Sequence, residues 1–384
     1  MYKVAYATGS RADYGIVTRY LEKLDSDSEI QLDILVTGSH MDDKYGKSID
    51  IIKQDGFNIA FAADIKLSEN DNSGVIKSMS LALNKFGAFF AENKYDLIII
   101  LGDRFEMMSV AIAAAMNRLP ILHIHGGEVT YGNYDEFIRH SITKMSTYHF
   151  TSTLKYKNRV IQLGEAPDRV FYLGALGAEN CQDIKKNKVR EEIKQLPSNK
   201  YFLVAFHPET LTGISAGAQA QEILKAIEVY SKKYIIVLMG SNADTGSKII
   251  RDLFIDFCSS NDNAVYIENV DVDSYLYMMK NAIAIIGNSS SGIIEAPSLN
   301  TYTINIGDRQ KGRERAESVR DVNCVFDEIY EAMKWAIGMS KGNDTIINPY
   351  YKAGAAEEYY EKTKMILMQG CNCEKEFFDV DFMF

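Results

Sequence analysis

The sequence predicts an α/β protein built from two doubly wound parallel sheets. Short apolar runs rich in β-branched residues alternate with longer segments of helical period, as in parallel sheets with crossover helices. The chain has 384 residues, a length that suits two domains of ordinary size. Hydrophobic residues make up 46% and charged residues 24%, which is the composition of a globular protein.

The predicted elements fall into two series. In the first half, we predict a long helix over residues 75–92 and strands near residues 3–8, 31–37, 57–62, 96–101, 119–123, 148–151 and 170–173. A polar, lysine-rich segment at residues 183–195 is predicted to be helical and leads to the second half. There we predict strands near residues 201–206, 234–239, 264–268, 284–287 and 302–306. Ligands of such sheets bind beyond the carboxyl ends of the strands, so two facing sheets would create an interdomain cleft.

Two loops of the first half carry paired charges directly after strands. Arg11 lies in a Gly-Ser loop after the first strand, where its guanidinium could pair with a phosphate. This loop is neither a dinucleotide fingerprint nor a P-loop, and an ordinary strand-to-helix turn is the competing interpretation. Asp103 and Arg104 follow the fourth strand, where Asp103 could simply cap the next helix. Arg104 favours a functional site, because an ordinary cap does not need it.

A cluster of histidines and carboxylates follows the fifth strand. Its members are His123, His125, Glu128, Asp135, Glu136 and His140, with Arg139 in the same segment. Carboxylates close to imidazoles shift one another's pKa toward the working range, which favours general acid and base chemistry. A metal site is a weaker hypothesis, because the two strand histidines would point to opposite sides. For His123 and His140 the alternative is a structural role, in which the ring forms hydrogen bonds to buried backbone groups.

The second half offers candidates for binding a nucleotide. His207 ends one strand, where it could contact a diphosphate. Ser289, Ser290 and Gly292 open a helix after another strand, and free N–H groups at such a position bind phosphate. Glu295 lies one turn further, where a carboxylate can accept bonds from ribose hydroxyls, although an acid favoured by the helix dipole is the alternative. Arg309 belongs to a cationic run that suggests anion capture.

The composition of the chain limits which binding partners and which cellular compartment we expect. A net charge of −10 argues against a nucleic-acid partner. The 5 cysteines are scattered and lack the spacing of zinc or disulfide sites, so we expect reduced thiols. The apolar runs are too short to span a membrane, and the N-terminus begins a strand without a signal peptide. We therefore expect a cytoplasmic protein with no membrane partner.

Taken together, the motifs resemble those of the hydrolysing UDP-N-acetylglucosamine 2-epimerases of bacterial sialic acid (capsule) biosynthesis. The resemblance runs from about Tyr2 to Tyr351 and rests on motifs in the same order: TGSRADYG, GDRFE, HIHGGE, YDEFIRHSITKMS, FHPET, GSNADTGS, GNSSSG and INIGDRQKGR. It implies a glycosyltransferase-B-type fold of two facing Rossmann-like domains, residues 1–175 and 176–352. The C-terminal helix, within residues 353–384, would return to the first domain.

The resemblance also implies roles for individual residues. Asp103 and Asp135 match catalytic carboxylates of the family, and Arg11 and Arg104 would reach the nucleotide from the first domain. Substrate-binding positions on UDP or sugar match Arg139, His207, Asn242, Ser289, Ser290, Gly292, Glu295 and Arg309. A further family glutamate falls at His125, so either His125 or Glu128 would take its role.

The activity implied is elimination of UDP from UDP-N-acetylglucosamine to a glycal, followed by addition of water, giving N-acetylmannosamine and UDP. No metal or redox cofactor is expected, and we expect a homodimer or homotetramer. One alternative is the sister enzyme that acts on UDP-diacetylbacillosamine. A glycosyltransferase on the same fold is a second, and the crowded acids and histidines argue against it. A silent sensor of nucleotide sugars is a third, and the intact aspartates argue against that.

Overall fold

The computed structural model describes residues 1–43, 47–67, 71–131, 133–209, 213–240, 246–339 and 345–381. These residues divide into two compact units. The first unit contains Met1–Glu128, Asp135–Leu176 and Lys352–Phe384, and the second contains Val129–Tyr134 and Gly177–Tyr351. The short segment Val129–Tyr134, which lies inside the range predicted for the first domain, thus packs with the second unit.

The first unit is built on a parallel sheet of seven strands with the order β3-β2-β1-β4-β5-β6-β7 among its described residues. The strands are β1 (Tyr2–Thr8), β2 (Ile30–Val36), β3 (Ile59–Ala62), β4 (Leu97–Leu101), β5 (Ile121–Ile124), β6 (Tyr148–Thr151) and β7 (Val170–Tyr172). The helices are α1 (Arg11–Asp25), α2 (Ile49–Gln54), α3 (Asn72–Glu92), α4 (Phe105–Met116), α5 (Asp135–Met145) and α6 (Leu154–Gln162), with short 3-10 helices at Gly38–Met41 and Pro167–Arg169.

The C-terminal helix completes the core of the first unit. This helix is α14 (Ala355–Gln369), and the buried side chains of Tyr359, Ile366 and Leu367 pack in the same apolar cluster as β1 and β4. The hydroxyl groups of Tyr20 in α1 and Thr363 in α14 lie 2.6 Å apart. Burial of a stripe on one helix face is what holds such a helix on a sheet.

The tail that follows α14 also lies on the first unit. The backbone N–H of Phe378 donates to the carbonyl of Gly164 at 2.9 Å. The Lys375 ammonium donates to both carboxylate oxygens of Glu165, at 2.9 and 2.8 Å. Glu165 is buried, so its charge requires such partners.

The second unit contains a parallel sheet of six strands, ordered β10-β9-β8-β11-β12-β13 among its described residues. The strands are β8 (Tyr201–Ala205), β9 (Ile235–Met239), β10 (Ala264–Ile267), β11 (Ala284–Gly287), β12 (Tyr302–Ile306) and β13 (Val319–Val322). The helices, beginning with one at the division between the units, are α7 (Leu176–Asn180), α8 (Glu191–Lys194), α9 (Ala216–Ser231), α10 (Ser247–Ser259), α11 (Val272–Asn281), α12 (Ser291–Ile294) and α13 (Phe326–Gly338), with a 3-10 helix at Ala296–Leu299.

The α/β class and the parallel sheets predicted from the sequence are confirmed, with two differences in detail. The lysine-rich segment at residues 183–195 is helical only over Glu191–Lys194, and its remainder is irregular, with a turn at residues 186–188. The strand Val319–Val322 was not predicted. It pairs only with β12 in the described sheet, and the exposed Arg320 and Asp321 interrupt its apolar pattern.

Both sheets have a topological switch point, where the strand order reverses. In the first sheet it lies between β1 and β4, and in the second between β8 and β11. Loops that leave such neighbouring strands in opposite directions leave a crevice between them, which is where open α/β sheets bind ligands. The segments that follow these four strands contain the candidates Arg11, Asp103, Arg104, His207 and those of the range 289–295.

No helix among the residues described above is long and apolar enough to cross a membrane. The cysteines Cys181, Cys258, Cys324, Cys371 and Cys373 are all free thiols.

Candidate active site

At the carboxyl end of the first sheet, an arginine joins two segments of the candidate site. Asp103 lies between β4 and α4, and its carboxylate forms an ion pair with Arg139 of α5. The Arg139 side chain is only 3% exposed, whereas that of Asp103 is 18% exposed. Asp135 begins α5, and a separation of four residues puts it on the same helix face as Arg139. The structure thus brings Asp103 close to the helix that carries Asp135.

The prediction that Asp103 could serve as a helix cap is wrong. Arg104 occupies the N-cap position of α4, and no side-chain hydrogen bond caps that helix. The Arg104 Nε instead donates to Oε1 of Glu106 at 2.6 Å. Asp103 precedes the N-cap residue, and its carboxylate pairs with Arg139.

His125 and Glu128 lie next to each other and both approach Arg139, the partner of Asp103. The strand β5 ends at Ile124, and His125 has a φ of 65°, a left-handed conformation that is uncommon outside glycine. Its Nδ1 lies 3.4 Å from Oε1 of Glu128. The other Glu128 oxygen lies 3.8 Å from Arg139 Nη1, which also donates to the His125 carbonyl at 3.2 Å. Backbone strain of this kind concentrates at functional sites.

Glu128 is even more deeply buried than His125, with 1% of the residue exposed against 6%. Its Oε1 accepts a hydrogen bond from the buried hydroxyl of Ser152 at 2.6 Å. With Ser152, His125 and Arg139 around it, the Glu128 carboxylate orients its neighbours. This arrangement favours His125 as the group that exchanges protons and Glu128 as the group that holds it.

His123 has the structural role anticipated as an alternative. Its Nε2 lies 2.8 Å from the carbonyl of Gly102, which can only accept, so Nε2 carries the proton. Its Nδ1 lies 3.1 Å from the Thr143 hydroxyl. Burial lowers the pKa of His123 to about 3, so the ring is neutral. His140, the other histidine given this alternative, lies 3.3 Å from Glu136 in α5.

The first turn of α1 carries two more charged groups, Arg11 and Asp13. Arg11 is the first residue of α1, and its charge acts on His40, whose pKa burial lowers to about 4. Asp13 lies in the same turn, and burial raises its pKa to about 7. Arg104 opposes this shift, whereas Glu106 adds to it, so these three side chains belong to one electrostatic cluster.

In the second unit, Asn288 organises the switch point. Its Oδ1 accepts from the His207 backbone N–H at 2.7 Å, and its Nδ2 donates to the His207 carbonyl at 2.8 Å. The carbonyl of Asn288 in turn accepts from Arg309 Nη1 at 3.0 Å and from Gln310 Nε2 at 2.8 Å. One buried residue thus connects the loops after β8, β11 and β12.

Glu209 holds the loop that carries Arg309. Its Oε1 accepts from the backbone N–H groups of Asp308 and Arg309, at 2.7 and 2.8 Å. Sequence reasoning missed Asn288 and Glu209 as members of the site, although both lie within motifs that it singled out. Their roles depend on bonds across about a hundred residues, which local sequence does not reveal.

The serine-rich loop lies at the end of β11. The hydroxyls of Ser289 and Ser291 are 2.9 Å apart, and Ser290 is the N-cap of α12. Gly292 packs against Thr303, whose hydroxyl donates to its carbonyl at 2.7 Å. Glu295 is buried, and a side chain at Gly177 would overlap its carboxylate.

Glu295 is not inside a long helix, because α12 spans only Ser291–Ile294 and Glu295 is its C-cap. Asn242, predicted to contact UDP, lies outside the described residues. Within the described parts of the chain, no group of three or more His, Cys, Asp or Glu side chains is arranged to hold a metal ion.

Comparison with known proteins identifies the family. The sequence model of the UDP-N-acetylglucosamine 2-epimerases matches residues 22–363, most of the chain. The chain belongs to this family. It is 47% identical to the polysialic acid biosynthesis protein P7 of Escherichia coli over 386 aligned residues, covering 99% of this chain and 98% of that protein. The family predicted from the motifs is therefore confirmed.

Further relatives are similar over nearly the full length. A hydrolysing UDP-N,N'-diacetylbacillosamine 2-epimerase of Legionella pneumophila is 33% identical, covering 96% of this chain and 99% of that protein. The crystal structure of the Methanocaldococcus jannaschii UDP-GlcNAc 2-epimerase in complex with UDP-GlcNAc and UDP has a TM-score of 0.79 at 18% identity. It covers 96% of this chain and 100% of that one, so the two share a fold.

Proposed function

We propose that the chain is a hydrolysing UDP-N-acetylglucosamine 2-epimerase that converts UDP-N-acetylglucosamine and water into N-acetylmannosamine and UDP, for sialic acid biosynthesis. The observation that carries the proposal is the acid and base set at the ends of β4 and β5. Asp103 is ion-paired with Arg139, and His125 lies against Glu128. Inversion at a carbon requires proton removal on one face and protonation on the other, so it requires more than one such group.

The first step is elimination. A base removes the proton from C2 of the sugar, the bond between C1 and the phosphate oxygen breaks, and UDP leaves with the electron pair. In the second step water adds at C1 and a proton returns to C2 from the opposite face. Asp103, Asp135 and His125 supply these transfers, each contributing about 10²- to 10⁴-fold by acid and base catalysis.

The second unit supplies the nucleotide-binding groups of the proposal. His207 and Arg309 bind the diphosphate, and their common attachment to Asn288 holds them in place before the ligand arrives. The N–H groups of the Ser289–Ser290 turn stabilise the charge that develops on departing UDP. Glu295 accepts hydrogen bonds from the ribose hydroxyls.

The test is incubation with UDP-N-acetylglucosamine followed by NMR of the products. We expect UDP and free N-acetylmannosamine in equal amounts, deuterium at C2 when the reaction runs in D2O, and label at C1 from 18O water. Accumulation of UDP-N-acetylmannosamine, or product without deuterium at C2, would contradict the proposal.

A second candidate substrate is UDP-N,N'-diacetylbacillosamine. The Legionella pneumophila relative, 33% identical over nearly its whole length, is named for that activity. The two sugar nucleotides share the UDP group, so the second unit does not discriminate between them. Comparing kcat/KM for both substrates under the same conditions decides between them.

The location and assembly of the chain are further parts of the proposal. Its free thiols suit a reducing compartment, which supports a cytoplasmic enzyme. Formation of a homodimer or homotetramer stays a prediction. Light scattering of the purified protein at micromolar concentration measures its mass directly.

A further inference from the structure

The chain that follows α14 packs on the turn after α6, within the first unit. A Cβ added at Gly164, in that turn, would overlap the phenyl ring of Phe377, so the ring lies directly against this glycine. The backbone N–H of Phe378 donates to the Gly164 carbonyl at 2.9 Å. Residues 375–378, which we call the tail segment, are therefore fixed to the turn by both a side chain and the backbone.

Lys375 connects the tail segment to the end of α5. Its ammonium donates to the carbonyl of Ser146 at 2.7 Å, and Ser146 directly follows the last residue of that helix. A cation at a helix C-terminus interacts favourably with the carbonyls that have no partner inside the helix. The same ammonium donates to both carboxylate oxygens of Glu165. The Lys375 side chain is 21% exposed, so water screens these contacts less than it screens a pair on the surface.

Glu165 collects donors from α5, from β6 and from the tail segment. Besides Lys375, it accepts from Lys144 of α5 at 2.6 Å and from Nε2 of His149 of β6 at 3.1 Å. Burial lowers the pKa of His149, so the ring is neutral and donates its Nε2 proton. Burial also raises the pKa of Glu165, but His149 and the two lysines outweigh it and lower that pKa to about 2. Glu165 is therefore a charged, buried acid that needs its cations.

The helix α5 is thus held at both ends. Near its beginning, Arg139 forms the ion pair with Asp103, one turn after Asp135. In its last turn, Lys144 binds Glu165, and its ammonium also lies 4.9 Å from the ring centre of Phe377. A helix of 11 residues is about 16 Å long and stiff, so a shift at its end moves its beginning as well.

We propose that Lys375 and Glu165 are positioning residues, through which the tail segment fixes α5 and with it the carboxylate of Asp135. The inference rests on the proposed function, because it assigns proton transfer to Asp135. Lys375 and Glu165 act through the helix and do not touch the substrate. The alternative is a tail segment that only adds stability, with α5 held in place by its buried Ile138 and Ile142.

Comparing kcat with UDP affinity for Lys375→Met tests the inference. Methionine keeps the apolar stem of the side chain and removes the ammonium. We expect kcat to fall roughly 10- to 100-fold, because a displacement of about 1 Å can cost a catalytic group up to about 100-fold. UDP affinity, measured by calorimetry, should not change, because the proposed UDP-binding groups belong to the second unit. A lower melting temperature with a wild-type kcat would overturn the inference.

Two further variants extend the test. Phe377 is 64% exposed, so Phe377→Ala should fold even if Lys375→Met does not, and its kcat should fall roughly 2- to 5-fold, the range of one exposed cation–π contact. In a Glu165→Gln background, Lys375→Met should reduce kcat by a smaller factor than in wild type, because their contact is already weakened. Equal factors in both backgrounds, or a wild-type kcat for Phe377→Ala, would contradict the proposal.

The matched control is a lysine of similar exposure that also holds two carboxylates. Lys364 of α14 is 28% exposed, and its ammonium lies 2.7 Å from Asp27 and 2.9 Å from Glu29. Lys364→Met should lower the melting temperature and leave both kcat and UDP affinity unchanged. A fall of kcat as large as that of Lys375→Met would show that loss of any such lysine reduces turnover, against the proposal.

Hydrogen exchange separates this inference from the proposed function, because it needs no turnover. Backbone amides of α5 should exchange faster in Lys375→Met than in wild type, and not in Lys364→Met. Wild-type protein that binds UDP without releasing N-acetylmannosamine would contradict the proposed function, while faster exchange of α5 would still support its attachment by the tail segment. Unchanged exchange in Lys375→Met, beside normal wild-type turnover, would contradict this inference alone.

Discussion

Two separate variants, Glu128→Gln and His125→Asn, distinguish the group that transfers protons from the group that holds it in position. Asparagine is chosen at position 125 because it tolerates the left-handed backbone there. Glutamine at position 128 keeps the shape of the side chain and removes its charge. Both variants are measured for turnover and for melting temperature.

The magnitude for Glu128→Gln follows from its contacts. The carboxylate loses a charged hydrogen bond from Ser152, made at 2.6 Å, which costs about 1.5–3 kcal/mol. Breaking a buried ion pair costs about 3–5 kcal/mol, but Arg139 keeps Asp103 as its partner, so the total should stay near about 3 kcal/mol. At about 2–4 °C per kcal/mol for a domain of this size, the melting temperature should fall by about 6–12 °C.

His125→Asn should behave in the opposite way. The distance of 3.4 Å from its Nδ1 to Glu128 exceeds that of a good hydrogen bond, so loss of this one contact should cost less than about 1 kcal/mol. Turnover should fall by about 10²- to 10⁴-fold if the imidazole transfers a proton. A Glu128→Gln enzyme that melts like wild type but has lost turnover, beside an active His125→Asn enzyme, would refute the assignment.

Three further predictions concern other parts of the site. Asp103→Asn and Asp135→Asn should each retain UDP binding by calorimetry but lose turnover by at least about 100-fold, and near-normal rates in both would exclude these roles. Asn288→Ala should weaken UDP binding by about 1–3 kcal/mol, because it releases the loops of His207 and Arg309 together; unchanged affinity would show that those loops hold their positions without it. In the folded protein Asp13 has a pKa of about 7, above the value of 3.8 in the unfolded chain, so its protonated form stabilises the fold. This contribution to the free energy of unfolding, at most about 4 kcal/mol, is lost as the pH rises from about 4 through 7. Wild type should therefore lose more melting temperature than Asp13→Asn between pH 5 and 8, and parallel curves would contradict the raised pKa.

The sequence predicted the elements whose determinants are local. β4, with the run Leu97–Leu101, is buried along its whole length, and its apolar pattern is unambiguous. β13 was not predicted because an edge strand with one buried side needs only a few apolar residues. The prediction for residues 183–195 was largely wrong because lysine and glutamate favour helices, whereas the chain there is helical only over Glu191–Lys194.

The loops of the candidate site were predictable from the sequence, but the contacts that hold their side chains were not. Strand ends identified Asp103, His125 and Arg309, because parallel topology collects those ends at one edge of each sheet. The carboxylate that holds Arg104, and the amide of Asn288 that holds two loops, depend on distances between segments. No local pattern encodes such distances.

The tail after α14 determines where an affinity tag belongs. Lys375 contacts Glu165, whose carboxylate also accepts from Lys144 at 2.6 Å, and Lys144 lies in α5, the helix that begins with Asp135. A cleavable extension that pulls the C-terminal end away would leave a buried acid short of one cation, and that acid directly contacts Lys144 of a proposed catalytic helix. Met1 is 86% exposed, so a tag at the N-terminus leaves this cluster intact and suits kinetic work better.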